Sequence, residues 1–158
     1  MFSLFSKTNT ASDKPSEVHE AEKEVMDTAP TTTLPYDHFY KQFHSHSLEK
    51  RIEDANKFFK HYPNKIPTII YPGNAQTPDV SKHKFILPPE MTIGEFMVVL
   101  RRFLTILPDQ ALFLFVYNDT TDNTVIPTAS STINDVYAQH KNKDMFLKIS
   151  YTLESTFG

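Results

Sequence analysis

Seven consecutive apolar residues, Ala111-Leu112-Phe113-Leu114-Phe115-Val116-Tyr117, set the terms for the rest of the chain. The run is far below the ~18 residues that would suggest a membrane span, and no longer apolar stretch exists elsewhere. It reads instead as a central strand buried on both faces, and the neighbouring segments are to be arranged around it. Upstream, Pro67-Thr68-Ile69-Ile70-Tyr71 reads as a strand stopped by Pro72-Gly73, and Lys82 to Leu87 as a second strand ended by Pro88-Pro89. Thr92 is placed to cap a helix running to about Leu104, and Ser131 or Thr132 to cap another through Gln139. Met145 to Tyr151 closes the series as a last strand, while Asn118 to Thr128 reads as a polar loop.

Two helices precede this core. Phe39, Tyr40 and Phe43 recur at near-helical spacing. Ser47 is then a plausible N-cap for a helix whose apolar stripe is Leu48, Ile52, Ala55 and Phe59, and Pro63 ends it. The resulting order, ααββαβαβ, implies an α+β architecture of the ubiquitin-like β-grasp type. A four-stranded mixed sheet would wrap one helix, with the two leading helices as an addition. Three regions follow: a disordered acidic extension over residues 1–35, the folded domain over residues 36–152, and a flexible tail over residues 153–158.

Composition supports that division and excludes several functions. Residues 1–35 hold 3 Lys/Arg against 6 Asp/Glu and few large apolar side chains, so they cannot bury enough surface to offset their ordering entropy. Residues 36–158 hold 13 against 13, which leaves no basic surface for a nucleic acid. The absence of cysteine excludes disulfides, thiolate zinc sites and a cysteine nucleophile; any thioester chemistry must borrow a partner's thiol. With three glycines there is no phosphate-cradling loop, and no cofactor is implied. His44 and His46 are the closest histidine pair, but no carboxylate or thiol cluster supports them as metal ligands. Glu53 and Asp54 are adjacent on a helix and read as a solvated face.

The chain ends Glu154-Ser155-Thr156-Phe157-Gly158. A short polar tail with a terminal glycine can be threaded into another protein's active site, because glycine has no Cβ to obstruct a narrow channel. Taken alone, such a glycine is more often an accident of where the chain stops.

Several blocks together resemble the autophagy ubiquitin-like modifiers, the GABARAP and microtubule-associated light-chain family. They are Leu48-Glu49-Lys50-Arg51, Tyr62-Pro63-Asn64-Lys65-Ile66-Pro67, Lys82 to Pro88, Met91-Thr92-Ile93-Gly94-Glu95-Phe96, Leu100-Arg101-Arg102, Ala111 to Val116, Val136 to Lys141 and Thr156-Phe157-Gly158. The resemblance implies that Gly158 is the conjugation residue, with Thr156 and Phe157 read by the tail-processing enzymes. Activating and conjugating enzymes of the lipidation cascade would join its carboxylate to phosphatidylethanolamine, and a cysteine protease would remove it. Nothing follows Gly158, so no priming cleavage is expected. The chain would supply no catalytic residue. It would be cytoplasmic, and would sit on autophagosome or other vesicle membranes when lipidated.

The same resemblance implies capture of aromatic-x-x-aliphatic motifs on receptors and adaptors by strand addition at Lys82 to Leu87. An aromatic pocket would be lined by Asp54, Phe58, Pro67, Lys82, Lys84, Ile86 and Phe146. An aliphatic pocket would be lined by Phe85, Leu87, Pro88, Met91, Phe96 and Val99. Lys65 and Arg101 belong to the same groove, and Lys65, Lys82 and Lys84 would attract acidic flanks. From periodicity alone, Ile93, Phe96, Met97, Leu100 and Leu104 serve the core, which leaves Val99 and Phe103 over. Phe103 stands where the family has a basic residue, the 118–128 loop is longer than usual, and the first helix matches poorly. The alternative is a ubiquitin-like adaptor domain in vesicle trafficking that is never conjugated.

Overall fold

Each of the three longer helices begins where a hydroxyl meets the first unpaired amides. The computed structural model describes residues 38–155. Residues 1–35 and the tail residues Thr156, Phe157 and Gly158 therefore lie outside the described residues. Helix α1 spans His38–His44 and α2 spans Leu48–His61, where the Ser47 side chain accepts from the Lys50 amide at 3.2 Å. Helix α3 spans Ile93–Arg101 behind a full capping box: Thr92 Oγ1 accepts from the Glu95 amide (3.1 Å), and Glu95 Oε1 accepts from the Thr92 amide (3.3 Å). Helix α4, Ile133–His140, is capped by Thr132.

The strands are β1 (Ile66–Pro72), β2 (Lys84–Leu87), β3 (Gln110–Asn118), β4 (Asn123–Val125) and β5 (Leu147–Ser155). They form one mixed sheet in the order β2-β1-β5-β3-β4. Among the described residues the only parallel pair is β1 with β5, at the centre, with Thr68 opposite Leu147 and Pro72 opposite Tyr151. The larger core lies between one face of the sheet and helices α3 and α4. Ile66, Ile70, Phe85, Leu87, Leu112, Leu114, Val116, Leu147, Ile149 and Tyr151 meet Ile93, Phe96, Leu100, Ile133 and Val136 there. A smaller cluster on the other face joins Phe43, Ala55 and Phe58 of the leading helices to Ile69 and Phe146.

The sheet has five strands, not four. Within the stretch read as a loop, Asn118 Oδ1 accepts from the Thr120 amide at 2.8 Å, and Asp122 takes a left-handed φ of 52°. That local turn folds Asn123–Val125 back on β3, pairing Val116 with Val125 and Tyr117 with Thr124. Polar residues at an edge give no hydrophobic period, so the strand was not visible in the pattern.

Strand β3 is not buried on both faces either. Leu112, Leu114, Val116 and Asn118 are buried, but Phe113, on the opposite face of the strand, is 42% exposed. In α2 the buried stripe is Asp54, Ala55 and Phe58, one position from the predicted one; Leu48 is exposed and Phe59 only half-buried. Asp54 is thus not on a solvated face, whereas Glu53 is. Helix α3 stops at Arg101, and the Phe103 amide donates to Leu100 O, which tightens the last turn and carries Phe103 into the core. Met97 is only partly buried. Strand β5 continues to Ser155, three residues into the stretch read as tail.

Candidate functional site

Strand β2 is one edge of the sheet, and its four residues separate the two clusters. Side chains along a strand alternate between faces. Phe85 and Leu87 therefore enter the α3-side core, while Ile86 packs against the smaller cluster of α2 and Phe146. The backbone follows a matching alternation. The Ile70 amide donates to His83 O at 2.8 Å, which makes Ile70 opposite His83 a bonded pair. In an antiparallel ladder bonded and non-bonded pairs alternate, so Thr68 opposite Phe85 and Ile66 opposite Leu87 are bonded. Ile69 opposite Lys84 and Pro67 opposite Ile86 are then the non-bonded pairs, and Pro67, which has no N–H, fits that place. The backbone N–H and C=O groups of Lys84 and Ile86 consequently turn outward from the sheet.

On the α2 side, Phe58 and Pro67 are buried and Phe146 is fully so, so these three form a floor and Ile86 the accessible wall. Asp54 stands at the edge of this floor, 9% exposed. Its buried Oδ1 is ion-paired with Lys50 Nζ at 3.4 Å, outside good hydrogen-bond geometry, and stands beside this floor. Burial pushes the Lys84 ammonium down to about 8, against the opposing pull of Asp54. On the α3 side, Phe85 and Phe96 meet edge to face at 5.7 Å, and Phe85 and Phe103 at 5.1 Å. Phe96 is wholly buried and Leu87 nearly so, which leaves half-buried Pro88, Met91 and Val99 as the reachable lining.

Two sequence assignments change. Lys82 belongs to the α3 side: its Nζ lies 5.1 Å from the Phe85 ring centre and 6.0 Å from that of Phe103. It precedes the start of β2 at Lys84, so strand alternation does not govern it, and the electron-rich ring faces hold its amine. Phe103 is a wall of the same cluster and not a surplus surface residue. Lys65 sits just before β1, at the Leu87 end of the edge, so cations stand at both ends of β2. Arg101 is exposed on the last turn of α3.

Sequence reasoning missed the polar cluster behind the α2-side floor. Asp144 Oδ2 is 2.9 Å from Arg51 Nε and 3.0 Å from Lys148 Nζ, and Oδ1 accepts from the Phe146 amide at 3.1 Å. Asp144 and Lys148 are both 0% exposed. His44 Nε2 faces Lys148 Nζ at 3.4 Å, so His44 is engaged inside the fold and not paired with His46. Burial, with Lys148 and Arg51 nearby, pulls His44 down to about 4, while Asp144 and Asp119 oppose this. Burial also lowers Lys148, opposed chiefly by Asp144. The cluster ties α1 and α2 to β5 and fixes the backbone of Phe146. A lysine inside an apolar strand was the only available signal.

The model of the family described as autophagy protein Atg8, ubiquitin-like, matches residues 50–158. The chain belongs to the Atg8 family. Autophagy-related protein 8d of Arabidopsis thaliana is 34% identical over 116 residues, covering 73% of this chain and 92% of that protein. Autophagy-related protein 8 of Kluyveromyces lactis is 36% identical over 112 residues, covering 70% and 86%. Among solved structures, Trypanosoma brucei ATG8 is similar at 33% identity and a TM-score of 0.58, covering 72% of this chain and 94% of that one. Plasmodium falciparum Atg8, solved in complex with a Plasmodium falciparum Atg3 peptide, is similar at 28% identity and a TM-score of 0.59, covering 70% and 94%. This Atg8-family protein is thus a ubiquitin-like autophagy protein. Among its described residues no helix is long and apolar enough to cross a membrane.

Proposed function

We propose that this Atg8-family protein is a modifier joined through the Gly158 carboxylate to phosphatidylethanolamine. It acts in autophagosome formation and recruits cargo receptors through the β2 edge. The observation that carries the peptide-binding half is the division of β2: outward-turned backbone groups between two apolar clusters on opposite faces. A peptide adding as a strand places alternate side chains over alternate faces, so residues of opposite parity enter different clefts. An aromatic residue and an aliphatic residue three positions later have that parity. The Plasmodium relative that holds an Atg3 peptide supports a peptide-receiving role for this fold. The α2-side cleft, with the buried Asp54 acceptor, suits an aromatic ring that bears an N–H or O–H. The α3-side cleft, with Pro88, Met91 and Val99, suits an aliphatic side chain. The protein itself is a substrate of activating and conjugating enzymes and of a delipidating cysteine protease, and contributes no catalytic group.

Intact-mass analysis of membrane-pelleted protein tests conjugation. A phospholipid adduct is expected on the wild type and none on Gly158→Ala; unmodified mass in every fraction would leave only an unconjugated adaptor. For the edge, Ile86→Glu and Val99→Glu change half-buried residues, one in each cleft, and each is expected to abolish binding of an aromatic-x-x-aliphatic peptide. Retained binding in both would sink the edge assignment. Phe85→Ala is a poor probe, because removing a 4%-exposed core aromatic unfolds the site it tests.

A further inference from the structure

The chain enters its described part beside the β2 edge. Phe39, the second residue of α1, stacks on His83 with ring centres 4.1 Å apart and planes 4° from parallel. His83 lies between Lys82 and Lys84, at the start of β2. Whatever precedes His38 is therefore tethered next to the cationic end of the edge. What precedes it is acidic: residues 1–37 hold Lys7, Lys14 and Lys23 against Asp13, Glu17, Glu20, Glu22, Glu24, Asp27 and Asp37, which gives 3 − 7 = −4. Six of those seven acids fall between Asp13 and Asp27.

We propose that the acidic segment Asp13–Asp27 is an intramolecular occupant of the β2 edge that competes with external peptides. This rests on the reading of that edge as a peptide groove. Three features fit together. The edge carries half-buried Lys84 at one end and Lys65 at the other, and the segment supplies the opposite sign. Ten residues, 28–37, separate Asp27 from α1. Such a spacer reaches ~36 Å when extended and has an r.m.s. span of about 17 Å, whereas the four residues of β2 cover ~14 Å. The segment also has no Phe, Tyr or Trp, so it occupies by charge and backbone without filling the α2-side pocket. Occupancy is accordingly weak, reversible and sensitive to salt. A short tether gives a millimolar effective concentration, so an interaction of millimolar intrinsic strength lowers the apparent affinity for external peptides about two- to tenfold. Partners with acidic flanks lose most, because they need the same lysines.

The test uses two full-length chains, the wild type and a variant with Asp13→Asn, Glu17→Gln, Glu20→Gln, Glu22→Gln, Glu24→Gln and Asp27→Asn. Binding of a fluorescent peptide with an aromatic-x-x-aliphatic core and acidic flank is measured at low salt and at about 0.5 M, where the Debye length is only a few ångströms. The variant is expected to bind about two- to tenfold tighter at low salt, with the gap closing at high salt. Equal affinity at both salt levels overturns the self-occupancy and leaves the groove intact. Backbone amide shifts of the two chains without peptide judge the docking separately. Differences concentrated at residues 82–88 support it, and superimposable spectra overturn it. Failure of the peptide to bind either chain counts against the groove reading, whereas the amide shifts still decide the docking.

Discussion

Asp144→Asn should be the most damaging single-residue charge change in the described fold. The wild-type carboxylate is fully buried and faces two cations, Arg51 Nε at 2.9 Å and Lys148 Nζ at 3.0 Å. Asparagine preserves an acceptor for the Phe146 amide but removes the counter-charge. The Arg51 side chain is 12% exposed and also donates to His46 O, so part of its charge is relieved. The Lys148 side chain is 1% exposed, and the His44 ring that faces it offers no negative charge. Breaking a buried pair from one side costs about 3–5 kcal/mol. Against a total of ~5–15 kcal/mol for a domain, that is a large fraction. At roughly 2–4 °C per kcal/mol for a chain of this size, Tm falls by about 6–20 °C. Deprotonation of Lys148 offers partial escape, so the deficit should shrink as pH rises. Lys148→Met is the control: it removes the buried amine while leaving Asp144 paired with Arg51, and should stay within about 1.5 kcal/mol of wild type. Urea unfolding of both variants at pH 7 and 9 checks this. A loss below about 1 kcal/mol for Asp144→Asn, or an equal loss for Lys148→Met, would refute the reasoning.

Other outcomes follow from the same geometry. His44 is held well below its ordinary value, so the unfolded chain takes up a proton there between pH 6.5 and about 4 while the folded chain does not. That contribution is present above pH 6.5 and is lost as pH falls through this window, so in urea titrations His44→Gln should lose less stability on acidification than wild type. Lys84 loses its charge near pH 8, so affinity for an acidic-flanked peptide should fall as pH rises through about 8, and Lys84→Met should flatten that profile. A Cβ at Gly73 would lie 2.9 Å from Thr152 Cγ2 and 3.2 Å from Tyr151 O, while the Gly73 amide already donates to that oxygen at 2.8 Å. Gly73→Ala should therefore cost about 1–3 kcal/mol by thermal or urea unfolding. The buried Asp54 oxygen predicts that a tryptophan anchor binds more tightly than phenylalanine, and that Asp54→Leu removes the difference in a fluorescence titration.

Helix starts were legible because Ser47, Thr92 and Thr132 announce themselves by residue type, and because the α3 box repeats the signal at Glu95. The grasp order was legible because Pro72-Gly73 and Pro88-Pro89 punctuate the first two strands. What failed was anything decided by distant partners. Phe58 is buried in place of Phe59 because Phe146 and Phe43 stand on that side. Phe113 is exposed because no residue of either hydrophobic cluster covers its face of β3. Strand β4 rests on one Asx turn and a left-handed aspartate, which hydropathy does not register. Within the candidate site, the residues of β2 were legible as a set, but their allocation to two faces needed the strand to begin at Lys84, and Lys82 fell on the wrong side for that reason.

The placement of β5 also decides how the molecule answers to a pull. The chain beyond Ser155 departs from the middle of the sheet, flanked by β1 on one side and β3 on the other. A load applied to that end and resisted by a partner on β2 passes lengthwise from β5 to β1 to β2. It shears whole ladders at once, and no terminal bond can be peeled away first. The five β1–β5 pairs and the four β1–β2 pairs carry that load in series. Rupture then depends on the rate of unfolding under force and not on equilibrium stability. Under the proposed function, the membrane tether and the edge-bound partner are thereby joined through the ladders of the sheet.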